Sequence, residues 1–585
     1  MASLAALLRR CLPPLNFITL HYAYFVAVCL AASVVFYCSS DPAWSISYTD
    51  SLFLVVSAMT EAGLNTVNLS QMTTWQQVLL WLLILAGGSV WVSMWTVLAR
   101  RTVFARRYGH VVTAETTQGQ ILAARPPDTA HRATLHRLLA RGRSTDAQQF
   151  GPLSREEREH LGRVEYRALG VLAVLVPLYL VLWQVLGSVG LGAWLSRHRA
   201  DVPRRNGIGP WWLGVFNAVS AFNNSGMSLL DANMVPFQDA HYLLLTMGLL
   251  ILAGNTAYPV FLRLAVWALL RLADRATPAH VLADWKDTLL FILRYPRRVY
   301  TNLFPARATW WLVFMLVLLN SLDWMAFELL NLGNPTVETI PLGSRIVDGL
   351  FQALAVRSGG FYVVSIAGLY IGTQITYVIM MYISVYPVVI TMRHSNVYEE
   401  RSLGIYSDAG KSARSHSVPA ALGRRLQRTL TLRGVGVPPA ARRSHAPPES
   451  RADFITQQIR SQLAHDLWLL VLAVLVISTI ETARVLADPV AYSVFNVVFE
   501  VVSGYGTVGI SVGLPGAAYS FAGGWHAASK LVLCAVMLRG RHRGLPVALD
   551  RAVRWPGEQL GREEEEDWRI RRRLSRGRER RTWEA

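Results

Sequence analysis

Four apolar stretches of this chain each run to a glycine: SLFLVVSAMTEAG to Gly63, VFNAVSAFNNSG to Gly226, GLFQALAVRSGG to Gly360 and VVFEVVSGYGTVG to Gly509. Their side chains offer little reactive chemistry, so what they present is backbone. As a helix, about a dozen residues reach only ~18 Å and cannot cross a ~30 Å hydrocarbon core. In three stretches a Phe precedes a Ser by four and the glycine by ten: Phe53, Ser57, Gly63; Phe216, Ser220, Gly226; Phe499, Ser503, Gly509. The remaining one has Phe351 and Ala355 and reaches Gly360 in nine, so the repeat is degenerate there. A short helix that stops at membrane depth leaves amide groups needing a watery cavity or surrounding protein. Four such ends suit a ring of carbonyls that replaces a cation's hydration shell, with glycine supplying positive φ and leaving the axis clear. The expected ion ligands are the backbone of Gly63, Gly226, Gly360 and Gly509 and of the residue before each, Ala62, Ser225, Gly359 and Val508. Re-entrant packing helices are the alternative reading for any single stretch, and the fourfold recurrence argues against it.

Charges at this depth are costly and point to function. Glu61 lies two residues before Gly63, Asp348 and Glu500 lie within short helices, and Arg357 lies three before Gly360. Asp348 and Arg357 are ~13 Å apart along one helix, too far to pair. Arg357 is therefore expected to brace the filter from behind, on carbonyls or on a carboxylate of a neighbouring repeat, with Glu500 also in a supporting role. Glu61 either attracts cations at the outer mouth or sits solvated at a loop edge. Lys530, inside the last span, either faces the ion path as a gate or snorkels to the interface. His21, His241 and His526 lie near span edges and are read as hydrogen-bonded residues rather than ligands.

The elements that must carry these residues are membrane helices. The chain has 585 residues, 52% hydrophobic and 16% charged, with 19 Trp and a mean hydropathy of +0.30, the composition of a polytopic membrane protein. Its net charge of +19 sits in 97–167, 263–309, 393–460 and 538–582, between or after apolar spans, as the positive-inside rule expects of cytoplasmic segments. These runs lack interleaved aromatics, so no nucleic-acid partner is expected. There is no Ser/His/Asp set, Walker loop or His-rich cluster, and SGYGTVG lacks the strand and helix of a nucleotide site, so neither an enzyme nor a cofactor is indicated. Cys11, Cys29, Cys38 and Cys534 show neither CxxC nor zinc spacing and read as small buried hydrophobes.

Longer apolar spans flank each short helix: 17–39 and 73–98, 168–195 and 241–271, 309–330 and 365–391, 465–485 and 523–539. The predicted fold is an all-α integral membrane protein, with four helix/half-helix/helix pseudo-repeats around one central pore. The expected divisions are a first repeat (1–99), a cytoplasmic loop (100–165), a second repeat (166–272), a loop (273–305), a third repeat (306–392), a disordered basic linker (393–462), a fourth repeat (463–541) and a charged tail (542–585). Eight spans put both termini on one side, and Arg9, Arg10 and the basic tail make that side the cytoplasm. Four arginines in 197–210, expected outside, run against the rule. Charges at helical spacing in HRATLHRLLARG and SREEREHLGRVE suggest short solvated helices.

SAMTEAGLNTVNLS at 57–70, FNAVSAFNNSGMSL at 216–229, GNTAYPVFLRL at 254–264, MMYISVYPVVITMRHSNVYEERSLGIY at 380–406, SGYGTVGISVGLPG at 503–516 and RGRHRGLPVALDRAV at 539–553 resemble the fungal Trk potassium transporters. Their superfamily includes bacterial TrkH and KtrB and plant HKT proteins. The resemblance covers all four repeats and implies potassium uptake across the plasma membrane, filter glycines at Gly63, Gly226, Gly360 and Gly509, and a homo-oligomer in the bilayer. Gly63, where some plant relatives carry Ser, goes with potassium. RSGGF replaces the more usual RTAGF, and Gly504 stands where Ala is usual. A sodium-permeable or K+/Na+ or K+/H+ coupled transporter is the alternative within the superfamily, and a receptor or scaffold without transport the alternative outside it.

Residues 407–450 carry too little apolar surface to build a core. Deleting them is expected to leave rubidium uptake per surface molecule nearly intact. Loss of uptake at normal surface expression would make the segment structural.

Overall fold

The computed structural model describes residues 17–42, 44–107, 155–276, 283–384, 386–392 and 451–543. Among these the regular structure is helical. The first repeat comprises α1 (Phe17–Cys38), the short α2 (Tyr48–Thr60) and the pair α3 (Thr74–Gly87) and α4 (Ser89–Arg107). The second has α5 (Arg155–His198), the short α6 (Pro210–Asn223) and the pair α7 (His241–Gly254) and α8 (Tyr258–Ala276). A connecting helix, α9 (Ala283–Arg294), leads to the third, with α10 (Ala306–Leu330), the short α11 (Leu342–Leu354) and α12 (Ile371–Ile383). The fourth has α13 (Arg451–Ile480), the short α14 (Val494–Gly506) and α15 (Ala527–Arg541).

Local sequence sets these boundaries. Ser47 and Ser493 cap α2 and α14 by accepting the Asp50 and Asn496 N–H groups, and Pro210 starts α6 where a missing N–H costs nothing. A capping box of Thr73 and Gln76 starts α3. Apolar residues on nearly every side of the short helices are buried, Phe53, Phe216, Phe351 and Phe499 among them, so these helices form the core and the longer ones surround it.

Helices stand at all eight expected span positions, and they differ in kind. Four are individually long and apolar enough to cross a membrane: Thr19–Cys38, Val164–His198, Ala306–Leu330 and Ile371–Met392. α3 with α4 and α7 with α8 qualify only as bent pairs, at 55° and 83°. The chain is a multi-pass membrane protein of four helix/half-helix/helix repeats.

The breaks share a position. Gly87, Gly254 and Gly540 each stand thirteen residues after the first residue of their helix, as Ser384 does in the third repeat, and each helix bends or ends within a few residues of it. A Cβ on Gly87, Gly254 or Gly540 would overlap the carbonyl of Met59, Phe222 or Tyr505, each four residues before Gly63, Gly226 or Gly509. Small residues thus let the second helix of a repeat lie backbone to backbone on the last turn of its half-helix.

Three expected divisions shift. The first helix of the second repeat is continuous from Arg155, ~66 Å long, where SREEREHLGRVE suggests a short separate helix. α13 begins at Arg451, inside the expected linker, while 407–450, HRATLHRLLARG and the tail beyond 543 lie outside the described residues. Segment 283–304, expected as loop, is packed into the core: Phe291, Ile292, Tyr300, Leu303 and Phe304 are buried. The Tyr300 hydroxyl lies 2.5 Å from both Ser93 Oγ and Tyr258 OH, tying α4 to α8. Arg100 pairs with Glu165 at 2.6 Å and donates to the Arg298 carbonyl at 2.7 Å. Cys29 and Cys534 are buried and Cys38 is exposed.

Overpacking a site like Gly254 costs ~1–3 kcal/mol or more. Gly254→Val is therefore expected to lower the thermal midpoint of the purified protein by several degrees, whereas Gly170→Ala, whose Cβ would meet nothing within 4 Å, leaves it unchanged. The comparison is read by fluorescence-detected gel filtration after heating.

Candidate ion-conduction site

The half-helices end alike. Glu61, Asn224 and Thr507 cap α2, α6 and α14 in the left-handed region, at φ of 59°, 61° and 50°. The next amide then closes the helix: Ala62 N–H, Ser225 N–H and Val508 N–H donate to the Ser57, Ser220 and Ser503 carbonyls. Two residues after the cap comes the glycine, Gly63, Gly226 or Gly509, at φ of 74°, 76° and 96°. In the third repeat a π turn over Ala355–Gly359 replaces the cap, and Gly360 itself, at φ 72°, donates to the Ala355 carbonyl. This turn absorbs the missing residue of the nine-residue spacing.

The four glycines meet. A Cβ on Gly63 would overlap the Ser225 carbonyl, one on Gly226 would lie 2.9 Å from the Gly359 carbonyl, one on Gly360 would overlap the Val508 carbonyl and one on Gly509 would lie 2.6 Å from the Ala62 carbonyl. Each repeat's glycine therefore faces the preceding carbonyl of the next repeat, in the cyclic order one, two, three, four. The eight backbone positions singled out in the sequence form one closed ring. Four helix C-termini, each carrying about half a negative charge, also converge there.

Side chains join the segments around it. Ser358 Oγ donates to Asn224 Oδ1 at 2.9 Å, and Ser520 and Asn65 exchange bonds in both directions at 2.9–3.0 Å. Gln352 Oε1 accepts the Val363 N–H at 3.0 Å, holding the segment that leaves Gly360, and Glu500 Oε1 accepts the Ala522 N–H at 2.9 Å, holding the 3-10 turn Phe521–Gly524 that precedes α15. The equivalent residue of the second repeat is Asn217, also buried. Gln352 was not legible as a functional residue; its position, one after the repeat's Phe, is the signal it shares with Glu500.

The charged residues depart from expectation in three cases. Glu61 is neither at an outer mouth nor solvated: it is 3% exposed and pairs with Arg541 at 2.5 Å, and Arg541 also donates to the Gly87 carbonyl. Arg357 does stand behind the ring, but its partners are in its own repeat, Asn320 Oδ1 at 3.2 Å and the Ser384 carbonyl at 3.4 Å. Lys530 neither faces the passage nor snorkels. Its Nζ lies 2.6 Å from Asp50 Oδ1, in the first turn of α2, at the end remote from the ring. Asp348 is buried and apart from Arg357. His241 and His526 have partners, Ser344 Oγ at 3.1 Å and Glu481 at 2.8 Å, and His21 stacks on Phe25.

The TrkH family, described as a cation transport protein, matches residues 148–562. The chain belongs to this family. The match covers repeats two to four, and the ring geometry ties the first repeat to them. Among curated relatives, the low-affinity potassium transport protein of Saccharomyces cerevisiae is 37% identical over 420 residues, 70% of this chain and 45% of that one. Potassium transport protein 1 of Schizosaccharomyces pombe is 37% identical over 429 residues, 72% and 45% of the two chains. Potassium transporter TRK1 of Candida albicans is 35% identical over 415 residues, 71% and 36%. The chain thus spans less than half the length of each of these relatives.

Removing one partner of an ion pair strands the other charge, at a cost of ~3–5 kcal/mol when both are fully buried and less here, where Asp50 is half-buried. Lys530→Gln and Asp50→Asn are each expected to lower the thermal midpoint, and the double variant to lower it by less than their sum. Additive losses would show that the pair does not couple α2 to α15.

Proposed function

We propose that the chain takes up potassium through the ring of Gly63, Gly226, Gly360 and Gly509, with the backbone carbonyls of these residues and of Ala62, Ser225, Gly359 and Val508 replacing the ion's hydration shell. The observation that carries this reading is the closed fourfold contact of positive-φ glycines at the ends of four half-helices. It is supported by family membership and by relatives described as potassium transporters. Carbonyl dipoles and helix C-termini supply negative potential without a fixed carboxylate, which suits an ion that must leave again. The membrane potential favours entry by ~2.3 kcal/mol per charge per 100 mV. On this reading the chain lies in the plasma membrane with both ends cytoplasmic, as the basic segments suggest. Glu61, Arg357 and Glu500 act as supports of the filter, and Lys530 as a fastener of α2 rather than a gate.

The reading is tested by rubidium and sodium uptake in a potassium-uptake-deficient host at matched surface expression. Gly63→Ser is expected to lower the potassium-to-sodium ratio, because the hydroxymethyl group disfavours positive φ and adds an oxygen beside the Ser225 carbonyl. Gly509→Arg is expected to abolish both fluxes. Rubidium uptake at the parental rate in Gly509→Arg would remove these glycines from the path.

A further inference from the structure

Behind the third quarter of the ring lies a carboxyl group that the filter does not use. Asp323 is on α10, 0% exposed, and neither of its oxygens accepts a hydrogen bond from any described residue. A bare carboxylate in that setting is among the costliest states a side chain can hold. Its surroundings explain what could relieve it. From the π turn beside α11, the Arg357 guanidinium acts on Asp323 electrostatically but lies beyond ion-pair distance, held by Asn320 one turn earlier on α10. From α12, the Tyr377 hydroxyl is its other titratable neighbour. The remaining charges on the elements packed here are engaged or directed elsewhere. Glu328 pairs with Arg345 at 2.9 Å, Asp348 on α11 has Asp239, itself paired with Arg199, as its charged neighbour, and Arg263 of α8 donates to the Leu293 and Phe304 carbonyls. No group of three or more His, Cys, Asp and Glu able to hold a metal exists among the described residues, and Arg357 would repel a second cation. A proton is the one cation that neutralises Asp323 without needing further ligands.

We propose that Asp323 is a proton-binding site and that its occupancy tunes ion passage through Arg357. This rests on the transport reading above. The step is a simple protonation, one proton from the aqueous phase joining one carboxylate oxygen. With Asp323 ionised, Arg357 is drawn toward it and away from Asn320 and the Ser384 carbonyl. With Asp323 protonated, those bonds hold. Arg357 lies within the turn that ends in Gly359 and Gly360, so the two states set the third filter segment differently.

Two readouts test the site. In purified full-length protein, infrared difference spectra across a pH titration are expected to show a protonated-carboxyl band that vanishes in Asp323→Asn and moves in Asp323→Glu. An unchanged band in Asp323→Asn overturns the proposal, whether or not the protein transports. In cells clamped at one membrane potential, rubidium uptake by the parent is expected to change at least about threefold between acidic and alkaline medium, and uptake by Asp323→Asn to stay nearly flat. A parental pH profile in Asp323→Asn overturns the coupling to flux. Absence of rubidium uptake in the parent itself would instead sink the transport reading, with the infrared band still deciding the site.

Discussion

Where four stretches of main chain must touch one another, nothing can stand between them, and this exclusion of side chains governs the rest of the molecule. At Gly63, Gly226, Gly360 and Gly509 even a methyl group would strike the neighbouring backbone. The demand propagates outward. To reach the ring, each half-helix must end abruptly, which the left-handed caps and the π turn achieve. To be held there it needs close support, which Gly87, Gly254 and Gly540 allow. Further out, side chains resume their ordinary part, and apolar residues fill the space around Phe53, Phe216, Phe351 and Phe499.

The polar connections are unevenly shared among the four seams. Between repeats one and two there is one ion pair, Arg100 with Glu165, and otherwise neutral donors on polar acceptors or a carboxylate, as in Trp212 on Gln77 and Ser70 on Asp231. Between two and three they are again uncharged on the donor side, as in Gln238 on the Val363 carbonyl and Ser358 on Asn224. The seam between four and one has two ion pairs, Lys530 with Asp50 and Arg541 with Glu61, besides the Asn65–Ser520 bonds. That seam brings together residues 480 apart in sequence. Closing so long a loop forfeits more chain entropy than joining consecutive repeats, though the penalty grows only logarithmically. Charge pairing also fixes which elements may meet, since Lys530 and Arg541 would be stranded beside the wrong neighbour.

Much of this was legible in the sequence because membrane insertion simplifies it. A span needs a long apolar run, so short apolar runs ending in glycine stand out, and their recurrence located all eight ring positions. What escaped falls into three kinds. Partners of buried charges lie hundreds of residues away, so Lys530 and Glu61 could be seen as costly without Asp50 or Arg541 being seen as the answer. The role of Gly87, Gly254 and Gly540 was hidden because a glycine inside an apolar helix looks like ordinary composition until the opposing carbonyl is known. Segment 283–304 was missed for a third reason: its arginines read as solvent-facing, whereas Arg297 and Arg298 are buried among carbonyls, a carboxylate and an aromatic ring.

The π turn at Ala355–Gly359 makes one quarter of the ring a different object from the other three. In a pore built from identical subunits a sequence change is copied into every quarter at once, so intermediate settings are unreachable. Here the four quarters are encoded on one chain and can drift separately, and the third runs nine residues from its Phe to its glycine where its three counterparts keep ten. On the proposed reading, the lineage of such a chain can adjust ion preference in quarter steps, and the third segment, which departs from the common pattern, is the quarter with the most freedom to drift.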